Sequence, residues 1–232
     1  MSEYDDIAAR AERVLKRCRE ATFRSGRAEE AVTLVAVAKT QPLDRAQAVL
    51  AAGVRNIGEN RVQEAQKKWE GPERGRVQLH LVGRLQRNKA RPAVALFDVV
   101  HSCDSLRLAD RLSRLVGEGS LDVLLEVNVG GEPQKAGFGP EELRREIEHL
   151  VALPGLRLQG LMTIAPATRS SKDARPHFAA LRQLGEELRG QYPALGTTLS
   201  MGMTDDFEAA IEEGATLVRI GRAIYGDGGS PG

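Results

Sequence analysis

The feature that most constrains this chain is an alternation of eight short runs rich in aliphatic and β-branched residues, most of them followed by a longer segment of helical period. The runs are Thr33–Ala38, Asn56–Ile57 with its neighbours, Leu79–Val82, Val99–His101, Val123–Asn128, Leu156–Leu161, Thr197–Ser200 and Leu217–Ile220. Their near-continuous apolarity suits strands covered on both faces, and strand–helix alternation is the signature of parallel βα units. Eight such units within 232 residues predict one closed (β/α)8 barrel of the TIM type rather than an open doubly wound sheet. An extra amphipathic helix over residues 3–24 precedes the first strand.

The intervening helices are expected over Leu43–Ala52, Arg61–Glu70, Arg87–Ala95, Ser105–Gly117, Pro140–Ala152, Ala174–Gln191 and Asp205–Glu213, with a short last piece at Arg222–Tyr225. Pro42 and Pro140 suit first helical turns, while Asp104-Ser105 and Thr204-Asp205 offer N-cap oxygens. Gly53 and Gly214 stand where a left-handed residue ends a helix. With no internal repeat and no Pro/Gly/Ser linker, residues 1–226 are expected to form a single domain, and the tail Asp227–Gly232 is expected to be disordered.

Composition narrows the partners. The formal net charge of +1 comes from interspersed charges, and no basic stripe is interleaved with aromatics, so nucleic acid is not expected as a partner. Cys18 and Cys103 are far apart, with no His or Cys at metal-ligand spacing, which argues against a disulfide framework and a zinc site. The charged N-terminus lacks the apolar stretch of a signal peptide, and no apolar run reaches membrane-spanning length. A soluble cytoplasmic protein is expected, and without a heptad seam a monomer.

In a barrel, chemistry gathers where strands end on the C-terminal face. Lys39 directly follows the first run, where apolar walls around its stem would favour the neutral amine that attacks a carbonyl to form a Schiff base. By itself the position reads more readily as a solvated lysine at a strand end. At the other end of the chain, Ser200, Gly202 and Thr204 follow the seventh run, and Arg219 and Gly221 belong to the eighth and the loop after it. Small residues let backbone amides approach an anion, hydroxyls add hydrogen bonds, and a helix start adds a favourable dipole. Together the two loops read as a phosphate cup.

With these residues stands a set of ordered motifs: VAVAKTQP at Val35–Pro42, NIGENRVQEA at Asn56–Ala65, HLVGRLQRNKAR at His80–Arg91, EVNVGGEPQKAGF at Glu126–Phe138, GLMTIAP at Gly160–Pro166 and the segment Ser200–Gly226. Over nearly its whole length the chain resembles the pyridoxal phosphate homeostasis (YggS-like) protein family. The resemblance implies a barrel related to the N-terminal domain of alanine racemase, with pyridoxal 5′-phosphate linked to Lys39. It maps phosphate-binding positions onto Ser200, Gly202, Thr204, Arg219 and Gly221, and places Asn60 and Met162 along the pocket. Family members are regarded as carriers or buffers of the cofactor, in transient contact with apoenzymes that use it. Ala38, Gln134, Ala165 and Arg222 depart from the commonest family wording; none removes a proposed anchor, and Arg222 adds positive charge beside the phosphate loop.

The alternative is an amino-acid racemase. Racemisation needs an acid/base group on each face of the bound substrate, commonly borrowed from a second domain that is not expected here. His80 and His101, at strand positions, read more readily as barrel-layer residues than as bases, and Tyr225 as packing. A third possibility, a barrel enzyme for another phosphorylated metabolite, would keep the phosphate cup and leave Lys39 free. Glu59 and Arg61 read as residues of a solvated loop, Lys89 and Lys135 as exposed lysines open to a second cofactor molecule, and Trp69 as packing or surface. His149 and His177 lie in helical segments without evident role.

Overall fold

A computed structural model describes residues 3–166 and 171–226. Eight parallel strands close into a barrel in sequence order: β1 Thr33–Val37, β2 Asn56–Glu59, β3 Gln78–Leu81, β4 Val99–Cys103, β5 Leu121–Glu126, β6 Leu156–Met162, β7 Thr198–Ser200 and β8 Leu217–Ile220. Closure is made by β1 on β8, with Thr33 opposite Leu217 and Ala36 opposite Ile220. The expected barrel is thus the observed one; β2 and β4 each run two residues further than expected, to Glu59 and Cys103, and β5 lies two residues earlier at both ends. Gly58 and Glu59 pair with His80 and Leu81 of β3, so ladder partners extend a strand that its one large apolar residue, Ile57, barely announces. The expected tail at 227–232 lies outside the described residues.

The helices are α1 Glu3–Arg24, α2 Leu43–Gln47, α3 Val62–Lys68, α4 Ala90–Leu96, α5 Leu106–Val116, α6 Pro140–Val151, α7 Ser171–Gln191, α8 Phe207–Glu212 and α9 Arg222–Tyr225. Two of the expected helices are partly 3-10: residues 48–52 continue α2 in that form, and 87–89 lead into α4. The helix expected from Asp205 begins at Phe207. Asp206 takes the N-cap position, and its Oδ1 accepts the Met203 amide at 2.7 Å, which holds residues 203–206 in a turn. At α5, Ser105 is the N-cap residue, yet its hydroxyl bonds Asp104 instead of the helix amides.

Helix α1 buries Ile7, Ala11, Val14, Cys18 and Ala21, one face at helical spacing. That face packs against α8, α9 and the 3-10 turn after α2. Burying each large apolar side chain stabilises this contact by about 1.5–3 kcal/mol. Beyond the end of α1, Arg27 donates to the carbonyls of Ile211 at 2.6 Å and Ala215 at 2.9 Å. This tether fixes the C-terminal end of α8 and the turn that leads into β8. Among the described residues no helix is long and apolar enough to cross a membrane.

Candidate functional site

Lys39, Asn60, Thr204, Arg219 and Gly221 line one cavity of about 330 Å³ at the C-terminal ends of the strands. That volume matches a small organic ligand. Two glycines shape the mouth because nothing larger fits. A Cβ on Gly83 would sit 2.3 Å from the Asn60 carbonyl oxygen, and Gly202, at φ 95°, would drive a Cβ to 2.6 Å from that of Ala210. Met162, Ser200 and Gly202 are buried behind the cavity wall. The apolar walls expected around Lys39 are present in part: Val37, Val82, Ile164 and Met203 line the cavity, but Lys39 is exposed at the rim and the lining also carries Arg84, Glu126, Asp205, Asp206 and Arg222.

Arg219 carries the strongest electrostatic signal. Its guanidinium is only 4% exposed and donates to two neutral acceptors, Ser200 Oγ at 2.6 Å and the Thr163 carbonyl at 2.9 Å. Among the described residues it forms no ion pair. Burial pulls its pKa down to about 10, opposed only through space by Glu126 and Asp206. A buried cation without a contacting anion is costly, so the site is arranged to receive negative charge from outside.

From Ser200 a hydrogen-bonded file crosses the barrel interior. Ser200 Oγ lies 3.0 Å from His101 Nδ1, His101 Nε2 is 2.9 Å from His80 Nδ1, and His80 Nε2 is 3.1 Å from Asn56 Oδ1. The ends fix its direction: arginine can only donate and a carbonyl oxygen can only accept. Ser200 therefore receives a hydrogen from Arg219 and gives its own to His101, and both imidazoles carry hydrogen on Nε2. Both are neutral, His80 being lowered to about 4 by burial and His101 well below its ordinary value by burial, with His80 and Arg219 nearby. The two histidines are thus barrel-layer residues, as the strand positions implied, and the Ser200 hydroxyl points its hydrogen inward.

Three functional features escaped the sequence reading. Glu126, at the end of β5, is 9% exposed and lines the cavity, its carboxyl without a hydrogen-bond or ion-pair partner among the described residues; burial and Asp104 push its pKa up to about 7. A carboxylate ending a barrel strand was the available signal. Arg84 also reaches the cavity from the β3–α4 loop. Glu59, expected in a solvated loop, is 1% exposed because β2 extends to include it. It pairs with Lys68 at 2.8 Å and accepts from Trp69 Nε1 at 3.0 Å, so Trp69 is packing and anchors the carboxylate. Arg61 is exposed and pairs with Glu64 at 2.9 Å. Lys135 pairs with Glu132 at 3.1 Å, and Tyr225 is packed inside with its hydroxyl on the Ala46 carbonyl at 3.2 Å.

The family model described as the N-terminal domain of alanine racemase matches residues 19–229. A pyridoxal phosphate homeostasis protein of Pseudomonas aeruginosa is 45% identical over 97% of this chain and 98% of its own. Its counterpart from Aquifex aeolicus is 42% identical over 94% and 96%. The chain belongs to the pyridoxal phosphate homeostasis protein family. A solved member, PipY of Synechococcus elongatus PCC7942 with PLP bound, superimposes with a TM-score of 0.79 at 39% identity, covering 95% of this chain and all of that one. The names of these relatives state a cofactor and a homeostatic role and no reaction.

Proposed function

We propose that this protein holds pyridoxal 5′-phosphate as a Schiff base on Lys39 and acts in cofactor homeostasis, buffering the cofactor and passing it to apoenzymes. The observation that carries this reading is Arg219, a buried guanidinium facing the cavity with neutral acceptors only. A dianionic phosphate supplies the missing charge, and a primary amine, Lys39, stands on the same cavity wall at the opposite side of the β1–β8 seam. Asn60, Thr204 and Gly221 line the same cavity. Met162, Ser200 and Gly202 act from behind it, Met162 as packing, Ser200 by holding Arg219, and Gly202 by its left-handed turn. When bound, the cofactor supplies a carbonyl for the lysine and an electron-withdrawing ring.

Racemisation has thinner support. His80 and His101 are closed inside the barrel and Tyr225 is packed, which leaves Glu126 as a cavity group able to exchange a proton near neutrality. The Lys39 amine, released when an amino acid takes its place on the cofactor, would have to serve the other face. The reading includes a monomer working in the cytoplasm, with transient contact to apoenzymes.

The test is a visible absorption spectrum of wild-type and Lys39→Ala protein with added cofactor, before and after borohydride reduction, with the labelled peptide identified by mass. A reduced adduct on Lys39 is expected; its absence from the wild type overturns the reading in favour of a barrel that binds some other phosphorylated metabolite. Exchange of an amino acid's α-proton in deuterated water would restore the racemase.

A further inference from the structure

Three features converge on the backbone that carries Lys39. Lys68, at the end of α3, donates from Nζ to the Ala38 carbonyl at 2.7 Å and to Glu59 Oε1 at 2.8 Å. Both side chains are nearly closed off from water, at 10% and 1% exposure. On the other side of Lys39, Thr40 has φ 57°, the single non-glycine positive φ among the described residues; a β-branched residue rarely adopts it. The Gln41 amide then turns back onto the Lys39 carbonyl at 2.6 Å and the Ala38 carbonyl at 3.2 Å.

None of this is what a barrel wall needs for stability. A buried ion pair holds a fold together no better than well-packed apolar side chains of similar volume. Here burial pushes the Glu59 carboxyl up despite the pull of Lys68, and Glu59 Oε2 is buried with no hydrogen-bond partner. Backbone strain likewise persists only where the surroundings enforce it, and it clusters at functional sites. The costs meet at one peptide, the link from Ala38 to Lys39.

We propose that Lys68 and Glu59 are positioning residues for Lys39. Glu59, held by Trp69, fixes the Lys68 ammonium; the ammonium clamps the Ala38 carbonyl; and the clamped peptide aims the Lys39 stem out of β1 toward the cavity. The inference rests on the reading of Lys39 as the cofactor anchor. The anion side of the site, built on β7 and β8, is independent of the clamp.

The test uses the full chain and separates these parts. Borohydride trapping on wild-type protein first checks the anchor itself, and failure there overturns that reading. With trapping in hand, the Glu59→Gln/Lys68→Met variant removes both charges while keeping shape, and Lys68→Gln, one atom shorter and uncharged, is measured beside it. In whichever of the two folds, the rate of cofactor capture by Lys39 is expected to drop at least about tenfold, since small misplacements of a reacting group cost up to about 10²-fold. Affinity for inorganic phosphate, read by calorimetry, is expected to stay within about twofold of wild type, and amide exchange at Gln41 to quicken. Capture at the wild-type rate overturns the proposal. So does a parallel fall in capture and phosphate affinity, which would make the pair a general support of the barrel.

Discussion

Among the described residues, Lys68 and Arg219 are cations largely shielded from water near the mouth, and they are treated differently. Lys68, on the β1–β3 side, meets a carboxylate at 2.8 Å, so its charge is balanced by the protein. Arg219, on the β7–β8 side, meets a hydroxyl and a carbonyl, so its charge is left for something else to balance. The first arrangement makes geometry and the second makes affinity. A balanced pair has no use for a further anion, whereas an unbalanced cation at a cavity wall selects one.

The comparison breaks most visibly if Lys68 alone is neutralised. Lys68→Met strands Glu59 in the interior, and chemical denaturation is expected to show a loss of about 3–5 kcal/mol, most of it recovered when Glu59→Gln is added. Arg219→Met should behave in the opposite sense. Its stability is expected to change by less than about 2 kcal/mol, because the lost hydrogen bonds are offset by relief of an unpaired charge. Affinity for pyridoxal 5′-phosphate, followed by absorbance titration, should fall at least about 100-fold, or about 2.7 kcal/mol. An Arg219 variant that binds the cofactor normally would erase the distinction between the two cations.

Glu126 sharpens the contrast through pH. Its folded pKa, about 7, lies above the ordinary value near 4.3, so the folded state holds this proton more tightly than the unfolded chain. Its penalty is absent below about pH 4.3, grows through the interval, and is complete above about 7, so stability falls as pH rises through that window. Thermal unfolding of Glu126→Gln should lack this decline and exceed wild type by about 2–3 kcal/mol at pH 8. Cofactor affinity should weaken above pH 7 in the wild type, as the ionised carboxylate competes for Arg219, and less so in the variant. The smallest effect belongs to Arg222, an exposed arginine paired with exposed Asp205. Arg222→Thr is expected to change stability by less than about 0.5 kcal/mol and cofactor affinity by under about threefold, both measurable in the same titrations.

How much of this was legible differs by residue. Lys39 and the β7 and β8 loops could be placed because a strand end is a local pattern, and the barrel topology assigns strand ends to one face. The start of α8 was misplaced by two residues because Thr204 and Asp205 are both competent N-caps, and the choice of Asp206 depends on the turn it closes onto Met203. Glu59 was read as solvated because its immediate neighbours are polar; its burial comes from pairing with β3 and from α3 folding back over it. The Ser200 hydroxyl was expected to face an anion, and its partner is instead His101, 99 residues earlier in the chain.

The sequence by itself determined the barrel, the order of its elements, the lysine at the end of β1 and the small residues of the last two loops, since each follows from periodicity and steric demand over a few adjacent residues. Only the tertiary structure decided which charges are balanced. Whether Lys68 meets a carboxylate and Arg219 does not, and which way the hydrogens run from Arg219 to Asn56, depends on side chains from strands that touch only after the barrel has closed. Burial raises the energy of an unpaired charge severalfold over its cost in water, so these late contacts fix the chemistry of the site.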